Sequence, residues 1–173
     1  MKITIKPLGD IDSNILETLK ERLNETFGCP VDITPEAIGL EPAYDSKRQQ
    51  YLASKLLSRL KKSIVAEDEK ALGIVDVDLY APGLNFIFGQ ADIAAGVALI
   101  SLCRLRQEYY GLPSDEALFP DRAIKEAVHE LGHTFGLGHC SNYKCVMHFS
   151  NSLADTDQKQ AAFCSRCHPK LIK

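Results

Sequence analysis

Near its start the chain changes rhythm twice. Ile3 and Ile5 alternate with Lys2, Thr4 and Lys6, the period of a half-buried strand. Ile11, Ile15, Leu19, Leu23 and Phe27 then recur at steps of four, the stripe of an amphipathic helix that Gly28 is placed to stop. "VDITP" (31–35) reads as a second short strand, and "SKRQQYLASKLLSRLKK" (46–62) as a helix with Tyr51, Leu52, Leu56 and Leu60 on its inner face. Ile74 and Val75 mark a further strand in "GIVDVDLYAPG", while "NFIFG" (85–89) and "AAGVALISL" (94–102) supply two more around a turn at "QAD". A last long helix follows "LPSDEALFPD", where Asp121 can cap it, with Ile124, Val128, Leu131 and Phe135 as its sheet-facing stripe. This order predicts an α/β fold with a mixed, roughly five-stranded twisted sheet, because the final connections are too short for crossover helices.

The apolar pattern fades after Gly136. Residues 1–136 are expected to form an N-terminal subdomain of mixed sheet, helices and an active-site helix, and residues 137–173 a small C-terminal subdomain, the two making one compact domain. The second part holds four cysteines and three histidines but few apolar runs. It is too short to be held by burial alone, so a metal is the natural staple.

Composition narrows the setting. A chain of 173 residues with 45% hydrophobic residues and net charge −3 has no general electrostatic pull toward nucleic acid. No apolar segment reaches membrane-spanning length, and the N-terminal stretch lacks the pattern of a signal peptide. A cytoplasmic monomer with reduced thiols is the expectation. The basic residues of 47–62 read as a solvated face offset by the acidic run at 67–69 rather than as a docking surface.

"HELGHTFGLGHCSNYKC" (129–145) carries the chemistry. Residues four apart on a helix project from one face, so His129 and His133 can share one ion. His139 would lie roughly 9 Å farther along a continuing helix, out of reach of an ion bound at about 2.1 Å. The helix must therefore end, and Gly136 can end it in a left-handed turn that brings His139 back. Three imidazoles leave one zinc position open, a catalytic geometry, and Glu130, rotated about 100° from His129, is placed as general base. A chance HExxH is expected in about one shuffled chain in a hundred, and the added glycine and histidine make coincidence rarer still. Cys140 should face away from His139 and serve a second ion. Cys140, Cys145, Cys164 and Cys167 together supply the four soft ligands of a closed structural zinc site, in preference to two disulfides. His148 and His168 are expected at the surface or in support of the ligands, Cys29 and Cys103 as buried small residues, and Tyr80, Tyr109, Tyr110 and Tyr143 mostly in packing.

HExxHxxGxxH at 129–139, the adjoining Cys140, CxxxxC, "CVM" and the final CxxC resemble the archaemetzincin family, in the metzincin clan of zinc metalloproteases. The resemblance implies a zinc-dependent endopeptidase or aminopeptidase with two Zn2+ per chain, one on His129, His133 and His139 and one on the four cysteines. It also implies that Met147 lies beneath the histidines as an apolar floor, and that the strand around "NFIFG" is the edge on which an extended peptide or protein substrate pairs. The match departs at Phe149, where some clan members carry a tyrosine that assists the metal site. A catalytically weak or inactive zinc protein that binds a partner through the same cleft is the competing expectation.

Overall fold

Strand runs that are apolar on both faces need cover on both sides, and the sheet has it. The structure is a computed structural model describing residues 1–35, 38–64, 66 and 68–171. β1 (Lys2–Pro7) pairs in parallel with both β2 (Val31–Ile33) and β5 (Glu69–Val75). β5 pairs in parallel with β8 (Val97–Ser101), and β7 (Gly89–Asp92) closes the sheet antiparallel to β8. The order β2-β1-β5-β8-β7 makes the mixed five-stranded sheet that the sequence predicts, with β7 at an edge.

Alternation along the central strands divides the core. Leu72 and Ile74 of β5 and Ala98 and Ile100 of β8 turn toward α1 (Ser13–Phe27) and α3 (Leu118–Thr134), whose Leu19, Leu23, Ala127 and Leu131 are fully buried there. Ala71, Val75, Val97 and Leu99 face Leu56 and Leu60 of α2 (Ala53–Leu60) on the other side. Each such leucine contributes about 1.5–3 kcal/mol. Asp12 caps α1 by accepting the N–H groups of Asn14 and Ile15, and Gly28 ends it in the left-handed region at φ 62.

Three local expectations fail for identifiable reasons. The helix expected over 46–62 is limited to α2, because Asp45 Oδ1 accepts the N–H groups of Lys47 and Arg48 at 3.0 and 3.2 Å and Gln49 adopts φ 55. That Asx turn folds β3 (Tyr44–Asp45) back on β4 (Gln50–Leu52), and β4 pairs with β6 (Leu79–Tyr80) in a second small sheet. Local side-chain bonding to the backbone thus overrides the four-residue spacing. Of "NFIFG", Ile87 makes an isolated bridge with Leu79 and only Gly89 enters a strand, the edge strand β7, which runs on through "QAD". Buried β8 supplies the partner for that polar run, and the turn falls later, where Asp92 Oδ1 accepts from Ala95 N. Asp115, not Asp121, accepts the first amides of α3, and Asp121 pairs with Lys125 at 2.6 Å. Of the acidic run, Glu67 lies outside the described residues.

The tail is tied to α3 by buried charge as well as by its own turns. Arg122 grips Asp157 of α4 (Leu153–Gln158) with two bonds of 2.7 Å, and Lys159, fully buried, meets Glu126 at 2.8 Å. No helix among the described residues is long and apolar enough to cross a membrane.

Candidate active site

The end of α3 makes the site. Gly136 stands at φ 83, its N–H donates to the His133 carbonyl at 2.9 Å, and the Leu137 N–H donates to the Gly132 carbonyl at 3.2 Å. These two bonds are a Schellman motif, so the chain reverses at the glycine singled out by spacing. The same turn orients a ligand: the Leu137 carbonyl lies 2.7 Å from Nδ1 of His133. His129 makes the matching bond, its Nδ1 lying 2.8 Å from the Val146 carbonyl.

Those two bonds decide the tautomer. A carbonyl can only accept, so each Nδ1 carries the proton and each Nε2 presents a lone pair. The two Nε2 atoms stand 3.1 Å apart with no proton to share. Facing lone pairs repel unless a cation lies between them, and four ligands about 2.1 Å from zinc have edges of about 3.4 Å. His139 joins from beyond the turn, and the three rings offer nitrogens within 4.8 Å of one another. The donor set therefore fits a metal ion. Burial holds all three imidazoles below their ordinary pKa, keeping them neutral as ligands must be.

Glu130 is buried beside them, and burial together with the nearby Glu126 carboxylate pushes its pKa well up. Its seat is specific. A Cβ on Gly89 would lie 2.6 Å from Glu130 Cγ and 2.7 Å from the Leu99 carbonyl, so only glycine lets the edge strand approach so closely. Met147 is fully buried under the helix, and a Cβ at Gly132 would sit 2.5 Å from its sulfur. The glycine inside the HExxH segment thus makes room for the methionine floor.

These groups line a cavity of about 360 Å³ bounded by α3, β7, the 81–88 loop and the 149–151 segment. Phe149 lies tilted against His139, the ring centroids 5.2 Å apart, where a phenol would otherwise stand. None of Tyr80, Tyr109, Tyr110 and Tyr143 lines the cavity; Tyr80 donates to Asp45 and Tyr109 to Asp78.

One residue past His139 a different cluster begins. Cys140, Cys145, Cys164 and Cys167 offer sulfurs within 4.8 Å of one another, and Cys140 and Cys164 are 3.8 Å apart, far beyond disulfide length. A tetrahedron of sulfurs about 2.3 Å from zinc has edges of about 3.8 Å. Backbone amides of Asn142 and Cys164 point at Cys140 and Cys145 sulfurs at 3.4 Å, and the amide of Arg166 helps lower the Cys164 thiol to about 6. By contrast, burial pushes Cys103 up to about 11, an unactivated thiol, although it is half-buried rather than buried as Cys29 is. His148, beside Met147, bonds through Nδ1 to the Cys140 carbonyl at 2.9 Å, so it supports the ligand loop.

Sequence reasoning missed Glu126 and Lys159. Their buried pair lies beneath the cavity, with Lys159 Nζ also 3.4 Å from the His148 carbonyl. A lysine in a polar stretch carries no local sign of burial; only the spacing of Glu126, four before Glu130 on one helix face, hinted that a second carboxylate needed a partner.

A mixed sheet with a free edge strand, a cleft beneath it and three convergent histidines on an HExxHxxGxxH segment define a metalloprotease. A family model described as Peptidase family M54 matches residues 15–173, and the chain belongs to that family, the archaemetzincins. The archaemetzincin of Pyrococcus furiosus is 51% identical over 98% of this chain and 91% of its own length. A crystal structure described as a zinc-dependent peptidase, from Methanocorpusculum labreanum, superposes with TM-score 0.89 at 32% identity, covering 98% of this chain and 99% of that one. The archaemetzincin structure from Archaeoglobus fulgidus, complexed with malonate, gives TM-score 0.83 at 37% identity over 98% and 99% of the two chains.

Proposed function

We propose that this metallopeptidase uses Glu130 as general base and carries two zinc ions, one held by His129, His133 and His139 and one by Cys140, Cys145, Cys164 and Cys167. The observation that carries the reading is the pair of imidazole lone pairs facing at 3.1 Å, each fixed by a backbone carbonyl behind it. Bound there, zinc polarises a peptide carbonyl and lowers the pKa of water toward neutrality.

The chain supplies the rest. β7 is an edge strand, so its outer N–H and C=O groups are free to pair with an extended peptide and lay it across the cleft. Glu130, seated against Gly89 at the start of that strand, takes a proton from the attacking water and passes it to the leaving nitrogen. Burial raises its affinity for a proton above that of an ordinary carboxylate, which strengthens it as the acceptor of the proton from water. Phe149 adds no hydrogen bond to the reacting oxygen, so the cleft relies on charge rather than on a phenol there. The cysteine cluster is closed by four sulfurs and serves to hold the tail.

A peptide-library digest by the zinc-loaded protein and by its Glu130→Gln variant tests this. Cleavage by the first alone supports the assignment; equal cleavage by both removes Glu130 from the chemistry.

A further inference from the structure

Across the cleft from α3, the 81–88 loop has few bonds of its own. A turn from Leu84 N to the Ala81 carbonyl (3.1 Å) is internal to it, and its far end is tied by Ile87 N to the Leu79 carbonyl (3.0 Å) and by Ser101 N of β8 to the Phe88 carbonyl (2.8 Å). Yet Leu84, Phe86 and Phe88 line the cavity, and Leu84 is 42% exposed. What fixes the middle of the loop, at Leu84 and Asn85, comes from the β3–β4 hairpin. Arg48 Nη2 donates to the carbonyls of Leu84 and Asn85 at 3.0 and 3.1 Å, and Gln50 Nε2 donates to Asn85 at 2.9 Å. Arg48 is itself held on three sides: its Nε donates to Gln50 Oε1 at 3.0 Å, its guanidinium lies 4.3 Å over the Tyr80 ring, and its amide donates to Asp45. At the loop's other end Arg104 covers Phe86 at 4.3 Å while its fork binds Asp78 at 2.6 and 2.7 Å.

We infer that Arg48 is a positioning residue for substrate selection: it clamps the 81–88 loop so that Leu84 and Phe86 form a fixed wall for a bulky apolar side chain of the peptide. The inference rests on the peptidase reading of the cleft. The wall has no counter-charge to offer, since the carboxylates lining the cavity are Glu130 and Glu126, the latter already paired with Lys159. A floating loop would adapt to any side chain and discriminate poorly, whereas a held apolar wall favours the side chain that fills it. The guanidinium is suited to the task because its planar fork reaches adjacent carbonyls at once, which a lysine ammonium on a flexible stem does not reproduce.

Calorimetric binding of two peptides differing only by phenylalanine against alanine tests this, using the zinc-loaded full chain in a Glu130→Gln background so that peptide is not consumed. The parent is expected to prefer phenylalanine by about 10- to 100-fold. Arg48→Met, which keeps the stem on Tyr80 but loses the donors, should narrow that ratio about fivefold or more by weakening the phenylalanine peptide alone. Arg48→Lys should narrow it too, and serves if the methionine variant folds poorly. Affinities measured in one preparation give a ratio that does not depend on the fraction folded. An undiminished ratio in both variants, or a parent that binds the two peptides equally, overturns the inference. A phenylalanine preference in the parent together with no cleavage by the protein that retains Glu130 would defeat the peptidase reading and leave Arg48 as the positioning residue of a peptide-binding cleft.

Discussion

The two candidate metal centres sit side by side and are built on opposite plans. The histidine set draws two ligands from the rigid C-terminal turns of α3 and one from beyond its end, and it opens on a cavity of about 360 Å³. The cysteine set draws its ligands from two turns of the tail, with Cys145 and Cys167 buried. Three ligands and an open side suit reaction; four ligands and a closed shell suit tethering. The plans meet at the peptide bond from His139 to Cys140, reinforced by the Cys140 N–H donating to the Met147 carbonyl at 2.9 Å, and again where His129 Nδ1 bonds the carbonyl of Val146, next to Cys145. An ion held by the cysteines would therefore help to fix His139 without touching substrate.

The largest effect should come from removing metal. A chelator is expected to abolish peptide cleavage by emptying the open site first, while circular dichroism stays native and added zinc restores activity. Simultaneous loss of fold and activity would erase the distinction. Glu130→Gln should lower kcat by about 10²- to 10⁴-fold with both ions still bound, as read by steady-state kinetics and elemental analysis.

Next comes the buried pair beside the histidine centre. Lys159→Met leaves Glu126 charged and unpaired in the interior, at a cost of about 3–5 kcal/mol. Thermal denaturation should register it as a drop of roughly 10 °C or more. Combining it with Glu126→Gln should recover much of the loss, and no recovery would show that Lys159 acts through packing instead.

The smallest effect sharpens the coupling. Cys140→Ser should weaken zinc at the histidines by about tenfold, although serine does not touch that ion, because the loop carrying His139 loosens. Competition with a fluorescent zinc indicator measures this, and equal affinity in wild type and variant would disconnect the two centres.

Much of this was legible in the chain, for physical reasons that differ by element. The three histidines and four cysteines could be grouped because ligand geometry is strict and helix pitch is fixed, and Gly136 falls where the reversal was required. The five-stranded mixed sheet followed from apolar runs at β1, β5 and β8. What could not be read was set by partners distant in sequence. β7 is polar and becomes a strand only because β8 is beside it, and Phe86 and Phe88 look like strand residues but serve as cleft wall. The Asx turn at Asp45 is a local signal that the helical spacing of 46–62 masked.

The most direct test is a zinc count with ligand identity. Native mass spectrometry of the full chain, with zinc-edge X-ray absorption on the same sample, should find two ions per chain. One should have a shell of four sulfurs and the other a shell of nitrogen and oxygen that disappears in a His129→Ala, His133→Ala double variant. A single ion, or a second ion unaffected by losing both histidines, would contradict the account.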